Sequence, residues 1–211
     1  MTPRDFILRN TALIAPPLVP ELRLHMASEV MPLWQRTEEE LAEMGVPPPY
    51  WAFAWAGGQA LARYVLDTPT LVRGKRVLDI GSGSGMVGIA AAKAGAAQVT
   101  CADIDAHACA AIALNAGANA VAVDIHQGDL IGAEAAWDVV LVGDLFYEKP
   151  LAERLMRWLH TLQADSLLGD PDRAYFPKSG VEKCAAYQVQ TTRDLEDREI
   201  RDTGVYRLLR S

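Results

Sequence analysis

The run Val77-Leu-Asp-Ile-Gly-Ser-Gly-Ser-Gly85 leads a short aliphatic stretch directly into a loop in which every second residue is glycine. Such a loop lets backbone N–H groups approach a ligand at the N-terminus of the helix that follows. A strand, a glycine loop and a helix in that order form one half of a βαβ unit, and the rest of the chain repeats the pattern. After Gly74 come RVLDI, an alanine-rich helix, QVTCADI, a helix over His107 to Gly117, the apolar run AVAVDIH, WDVVLVGD, a helix from Lys149 to Leu162 and SLLGD. Strands alternating with helices at this spacing predict a parallel, doubly wound α/β sheet covered on both faces. Beyond Lys178, AAYQVQTTRDL and DTGVYRLLR predict an antiparallel strand pair closing one edge.

Upstream, the pattern from Glu21 to Glu43 predicts accessory helices, broken at Pro32. Pro47-Pro48-Pro49 then connects to PYWAFAWAGGQALARYVL, whose second half predicts a helix opening at Gly57-Gly58. The expected organisation is an N-terminal helical extension over 1–48 and a main domain over 49–211. With 211 residues, half of them hydrophobic, the chain is long enough to bury one substantial core. A net charge of -7 argues against a protein that tracks nucleic-acid phosphates and suits a basic partner, although solubility alone would also explain it. Cys101, Cys109 and Cys184 form no C-x-x-C, and the four histidines have no metal spacing, so no metal site is expected. The first residues contain neither a signal peptide nor a convincing mitochondrial presequence. They set the expectation of a bacterial cytoplasmic protein and argue against the mitochondrial matrix. No stretch is apolar enough for a membrane span.

The glycines leave the ligand open. No Gly-Lys-Ser/Thr follows, so a P-loop is excluded. Gly83, Gly85 and Gly88 satisfy G-x-G-x-x-G, and Asp103 lies at the distance where a dinucleotide fold places its ribose-binding acid. Asp79, inside the strand, is costly to bury unless a cation or several donors meet it. The ammonium and sulfonium of S-adenosylmethionine would meet it, whereas the pyrophosphate of NAD would be repelled.

On these residues the chain resembles the seven-β-strand S-adenosylmethionine-dependent methyltransferases, whose first strand reads hydrophobic-hydrophobic-Asp/Glu-x-Gly-x-Gly-x-Gly. Asp79, Gly81, Gly83 and Gly85 match in order. The resemblance implies a Rossmann-like seven-stranded sheet, mostly parallel with an antiparallel C-terminal pair, and S-adenosylmethionine as cofactor. It implies ribose contacts for Asp103 and an adenine contact for Asp129, where a Gly-Asp turn is the structural alternative. Asp105 is expected to cap the next helix.

The strand ending Val-Gly-Asp144 delivers its acid beyond the sheet, and Asp144-Leu-Phe-Tyr147 has the form Asp-x-x-Tyr. This is similar to the subgroup that methylates protein lysines. The resemblance narrows through PYWAFAWAGGQALARYVLD, VRGKRVLDIGSGSG, GDLFYEKPLA and LLGDPDR to the electron transfer flavoprotein β subunit lysine methyltransferases and their bacterial relatives. It implies that subunit as protein substrate, a catalytic role for Asp144 and Tyr147, and cofactor packing for Trp51 and Trp55, each of which is otherwise a core aromatic. Only a neutral amine can attack a sulfonium methyl. Asp144 would orient the nitrogen, and Tyr147 with Phe146 would desolvate it, with core packing the alternative for Phe146. The chain departs from the family in Trp55-Ala-Gly-Gly, where relatives have Trp-Pro-Gly-Gly. Asp170, in Gly-Asp-Pro-Asp-Arg, matches the family but is explained equally by a turn. A small-molecule N-methyltransferase, a nicotinamide-dependent oxidoreductase and a silent cofactor-binding module are the competing functions.

Overall fold

The computed structural model describes residues 2–27, 48–134, 137–191 and 200–210. Along the chain these form α1 (Pro3–Asn10), β1 (Ala12–Ile14), β2 (Leu24–Met26), α2 (Ala56–Asp67), β3 (Arg76–Ile80), α3 (Met86–Lys93), β4 (Gln98–Asp103), α4 (Ala106–Ala118) and β5 (Asp124–Gln127). They continue as β6 (Val139–Gly143), α5 (Lys149–Thr161), β7 (Asp165–Asp170), β8 (Val181–Gln190) and β9 (Ile200–Leu208). Seven strands make one sheet in the order β5-β4-β3-β6-β7-β9-β8. The pairs from β5 to β7 are parallel, and β9 runs antiparallel between β7 and β8. The expected mostly parallel sheet with its antiparallel C-terminal pair is therefore present.

Strand periodicity divides the core. Val77, Val99, Val139, Leu141 and Leu167 face α2 and α3. Their neighbours Leu78, Val140, Val142 and Leu168 face Ala152, Leu155, Trp158 and Leu159 of α5. Because both faces are covered, β6 reads as a continuous apolar run rather than an alternating one, and β3 is buried from Val77 to Ile80 with Asp79 among its aliphatics. The apolar run Ala120 to Val123 does not form the predicted strand. Pairing starts at Asp124, and β5, an edge strand with β4 on one side only, is exposed throughout.

The N-terminal region differs from the expected helical extension. β2 pairs antiparallel with β1. Leu22, Leu24 and Met26 bury at every second position, a strand period that a helical reading of Leu and Met overlooks. Side chains of α4 and α2 supply backbone partners to β2 and the segment before it: His25 N–H donates to Asn115 Oδ1 at 2.7 Å, Arg23 N–H to Asn119 Oδ1 at 3.0 Å and Leu18 N–H to Gln59 Oε1 at 3.1 Å. α1 opens on a capping box between Thr2 and Asp5 and buries Phe6 and Ile7 in a cluster with Trp51, Ala108 and Ala111. The rest of the expected helical span, including Glu38-Glu39-Glu40, lies outside the described residues.

Candidate active site

A cavity of about 520 Å³ opens beyond the C-terminal ends of β3, β4 and β6. Its place is set by topology: β4 lies on one side of β3 and β6 on the other, and ligand crevices form where strand order reverses in this way. Gly81, Gly83, Asp103 and Asp129 line one part, and Asp144, Tyr147 and Arg173 line another, with Tyr50, Trp51 and Trp55 between them on the lining. Its volume is within the ordinary range for small-ligand pockets.

On the glycine-loop side, Gly81 and Gly83 have φ of 62° and 53°, a left-handed path that favours residues without Cβ. Asp103 accepts the N–H of Gly83 at 2.8 Å and of Asp105 at 3.0 Å. Burial pushes its carboxyl pKa up against these donors. Asp105 caps α4 through the N–H of His107, as expected, and also lines the cavity. Asp129 makes both a turn and a contact: it accepts Ile131 N–H at 2.9 Å and pairs with Arg154 of α5 at 2.6 Å. Asp79 and Gly85 stand behind the loop, outside the cavity lining. Asp79 is 1% exposed and accepts Gly88 N–H at 2.8 Å, capping the first turn of α3. Its burial pushes the carboxyl up to about 7. Gly85 backs onto Ile112.

On the opposite side, Asp144 ends β6 in a left-handed conformation, φ 61°, that is uncommon without glycine. Its Oδ2 accepts Gly57 N–H at 2.6 Å, capping α2 from another element, and its Oδ1 accepts Arg173 Nε at 2.6 Å. Arg173 also stacks its guanidinium 5.8 Å from the centre of the Trp55 ring. Trp55 donates its indole N–H to Tyr50 O at 2.8 Å. Tyr147 is 45% exposed, packs 6.1 Å from Tyr50, and has its hydroxyl pKa raised chiefly by burial. Phe146 is buried against Phe176 and does not line the cavity, so packing accounts for it. Trp51 is also buried, stacked on His107, with an indole N–H that has no hydrogen-bond partner.

Sequence reasoning did not assign roles to Arg173, Tyr50 or the buried Asp170. Asp170 Oδ1 accepts Arg173 N–H at 2.7 Å, while its Oδ2 is without a hydrogen-bond partner. The Gly-Asp-Pro-Asp-Arg turn was the available signal, and its meaning depends on the pairing of β6 with β7.

Among the described residues, four carboxylates, Asp103, Asp105, Asp129 and Asp144, meet two arginines on the cavity lining, each already engaged by one of them. Together with the left-handed glycines and apolar walls from Ile80, Ala102 and Ile131, this donor set fits S-adenosylmethionine and not a pyrophosphate.

The ribosomal protein L11 methyltransferase (PrmA) family model matches residues 59–147, the stretch from α2 to Tyr147. Electron transfer flavoprotein beta subunit lysine methyltransferases match more of the chain. The Xenopus laevis protein is 39% identical over 97% of this chain and 86% of its own length. The Danio rerio protein is 37% identical over 85% and 71%, and the Homo sapiens protein 38% over 82% and 68%. Among solved structures, ribosomal protein L11 methylase from Lactobacillus delbrueckii subsp. bulgaricus has a TM-score of 0.54 at 19% identity, covering 75% of this chain and 81% of its own. That likeness concerns the fold alone. The expectation of a bacterial cytoplasmic protein is overturned: the relatives of this name come from frog, fish, human, mouse and worm. Among the described residues no helix is long and apolar enough to cross a membrane.

Proposed function

The chain belongs to the electron transfer flavoprotein beta subunit lysine methyltransferase family, and we propose that it transfers methyl groups from S-adenosylmethionine to lysine ε-amines of that subunit. The observation that carries this reading is the sharing of one cavity by two sets of residues. Gly81, Gly83, Asp103 and Asp129 lie on one side, and Asp144 with its aromatic neighbours lies on the other.

In this reading Asp103 takes the ribose hydroxyls with the lone pairs that Gly83 and Asp105 leave open, and Asp129 the adenine amino group. Asp79 and Gly85 act through the loop, holding its glycines against the start of α3. Trp51 and Trp55 wall the cavity. When bound, S-adenosylmethionine supplies a sulfonium methyl, whose bond to sulfur breaks with its electron pair left on sulfur as an amine lone pair forms the C–N bond. Asp144 accepts an N–H of that amine and fixes its direction. Tyr147 and Tyr50 exclude water from the aliphatic lysine stem while leaving the mouth open to solvent.

Mass spectrometry of the purified β subunit after incubation with enzyme and labelled S-adenosylmethionine tests the proposal. Gains of one methyl mass or its multiples on lysine are expected. An unmodified β subunit beside another labelled protein would end the substrate assignment. Ribosomal protein L11 is included as a comparison, because the family model that matches 59–147 carries its name.

A further inference from the structure

At the acceptor side of the cavity the carboxylate that would greet a lysine already has a cationic partner. Arg173 and Asp144 meet at 2.6 Å with side chains 19% and 5% exposed. Among the described residues, Arg173 is held by this pair, by its backbone N–H to Asp170 and by the Trp55 ring. A permanent pair of this kind is a poor trap for a second cation, yet the site must receive lysine. We infer that Arg173 is a positioning residue for the acceptor amine: by holding Asp144 Oδ1 it cancels that carboxylate's charge, so that lysine is received as the neutral amine. The inference rests on the lysine methyltransferase reading above.

The chemistry follows from what each protonation state can do. Lysine ordinarily titrates at about 10.4, and its ammonium has no lone pair to give. A bare carboxylate beside the nitrogen would hold the proton on, whereas a guanidinium on that carboxylate removes the incentive and adds like charge, which lowers an amine's pKa. The ammonium gives one proton to water at the mouth. The resulting amine donates an N–H to the Asp144 carboxylate, and its own lone pair is free to bond carbon. After transfer the nitrogen again carries one positive charge, so each methyl transfer releases one proton in all, the one given up before attack.

Among the described residues, the other groups facing Arg173 and Asp144 are consistent with this balance. Asp170 at the end of β7 and Asp172 in the loop after it precede the arginine, and the N-terminus of α2 adds partial positive charge at Asp144 through Gly57. Tyr147 stands beside Tyr50, Glu148 and Asp144. Across the cavity are Asp103, Asp105 and the paired Asp129 and Arg154.

The test compares wild type, Arg173→Gln and Arg173→Lys on the β subunit, reading kcat and KM against pH. In Arg173→Gln the rising limb of kcat should move up by about one pH unit or more, with KM at neutral pH lowered because the unmasked carboxylate now binds ammonium. Arg173→Lys, which keeps the charge, should return most of that shift. A purely structural arginine would lower kcat with the limb unmoved, and that result overturns the inference, as would a lysine variant that behaves like glutamine. Should the glutamine variant fail to fold, the wild type still decides. NMR titration of the target lysine's ε-carbon, in complex with enzyme and S-adenosylhomocysteine, should give an amine pKa below about 10.4, and a value at or above it overturns the inference. A wild type that methylates no lysine sinks the functional reading and the arginine's role with it, while an active wild type with an unmoved limb in the variants sinks only the latter.

Discussion

Asp170 is fully buried at the end of β7, with one carboxyl oxygen on Arg173 N–H and the other without a hydrogen-bond partner. Burial, followed by the nearby charge of Asp144, pushes it up to about 7 from a usual 3.8. An acid raised in this way keeps its proton in the folded chain after the unfolded chain has lost it. Its contribution to stability is complete below about pH 4 and is lost as pH rises through 7. Asp170→Asn, neutral at every pH, should therefore gain melting temperature relative to wild type between pH 5 and pH 8. Parallel melting curves across that range would mean the carboxyl does not titrate there. Asp79 is raised to about 7 as well, but its partner is Gly88 N–H on α3, a contact within one strand-loop-helix unit. That difference sets what could be read in advance. Asp79, Gly81, Gly83 and Gly85 are contiguous, so their common loop was legible from spacing. Arg173 meets Asp144 across 29 residues, and only the register of β6 with β7 brings them together.

At the scale of elements, the junction of α2 with the sheet is unusually close. A Cβ on Gly57 would lie 2.3 Å from Gly169 O, and one on Gly143 would lie 3.1 Å from Gly58 Cα. The glycines let the first turn of α2 rest directly on the ends of β6 and β7, which is how Gly57 N–H reaches Asp144. Gly57→Ala must push backbone from backbone, with no flexible side chain to yield. A loss of about 3 kcal/mol is expected from denaturant unfolding, together with loss of the Asp144 cap. Gly117, within α4, has nothing within 4 Å of an added Cβ, so Gly117→Ala should stabilise by about 0.8 kcal/mol through helix propensity alone. If both substitutions cost the same, the close approach is not what constrains Gly57. The sheet elements were legible because β3, β6 and β7 are aliphatic runs buried on both faces, interrupted by few polar residues, and are separated by helices. β2 was not, because a three-residue strand offers too short a period to stand out, and the asparagines of α4 that take the N–H groups of Arg23 and His25 lie 96 and 90 residues away in sequence.

At the scale of the whole molecule, a net charge of -7 surrounds a cavity whose own arginines are already paired. Nothing in the composition could say where that charge would act. The fold places Asp103, Asp105, Asp129 and Asp144 on one cavity, and the exposed Tyr50 and Tyr147 rings join the same lining. The aromatic surface can bury a lysine stem at any ionic strength, but long-range attraction of a basic substrate segment depends on screening. The Debye length shrinks from about 10 Å at 0.1 M salt to about 3 Å at 1 M. Opposite-sign surfaces accelerate encounter and leave the bound geometry alone, so kcat/KM for the β subunit should fall as salt rises while kcat stays level. Steady-state kinetics from roughly 0.05 to 0.5 M sodium chloride would show it. A kcat that falls in step with kcat/KM would place the salt effect inside the bound complex, at the Arg173–Asp144 pair. A flat kcat/KM would mean that the acidic surface takes no part in finding the substrate, leaving recognition to the aromatic mouth.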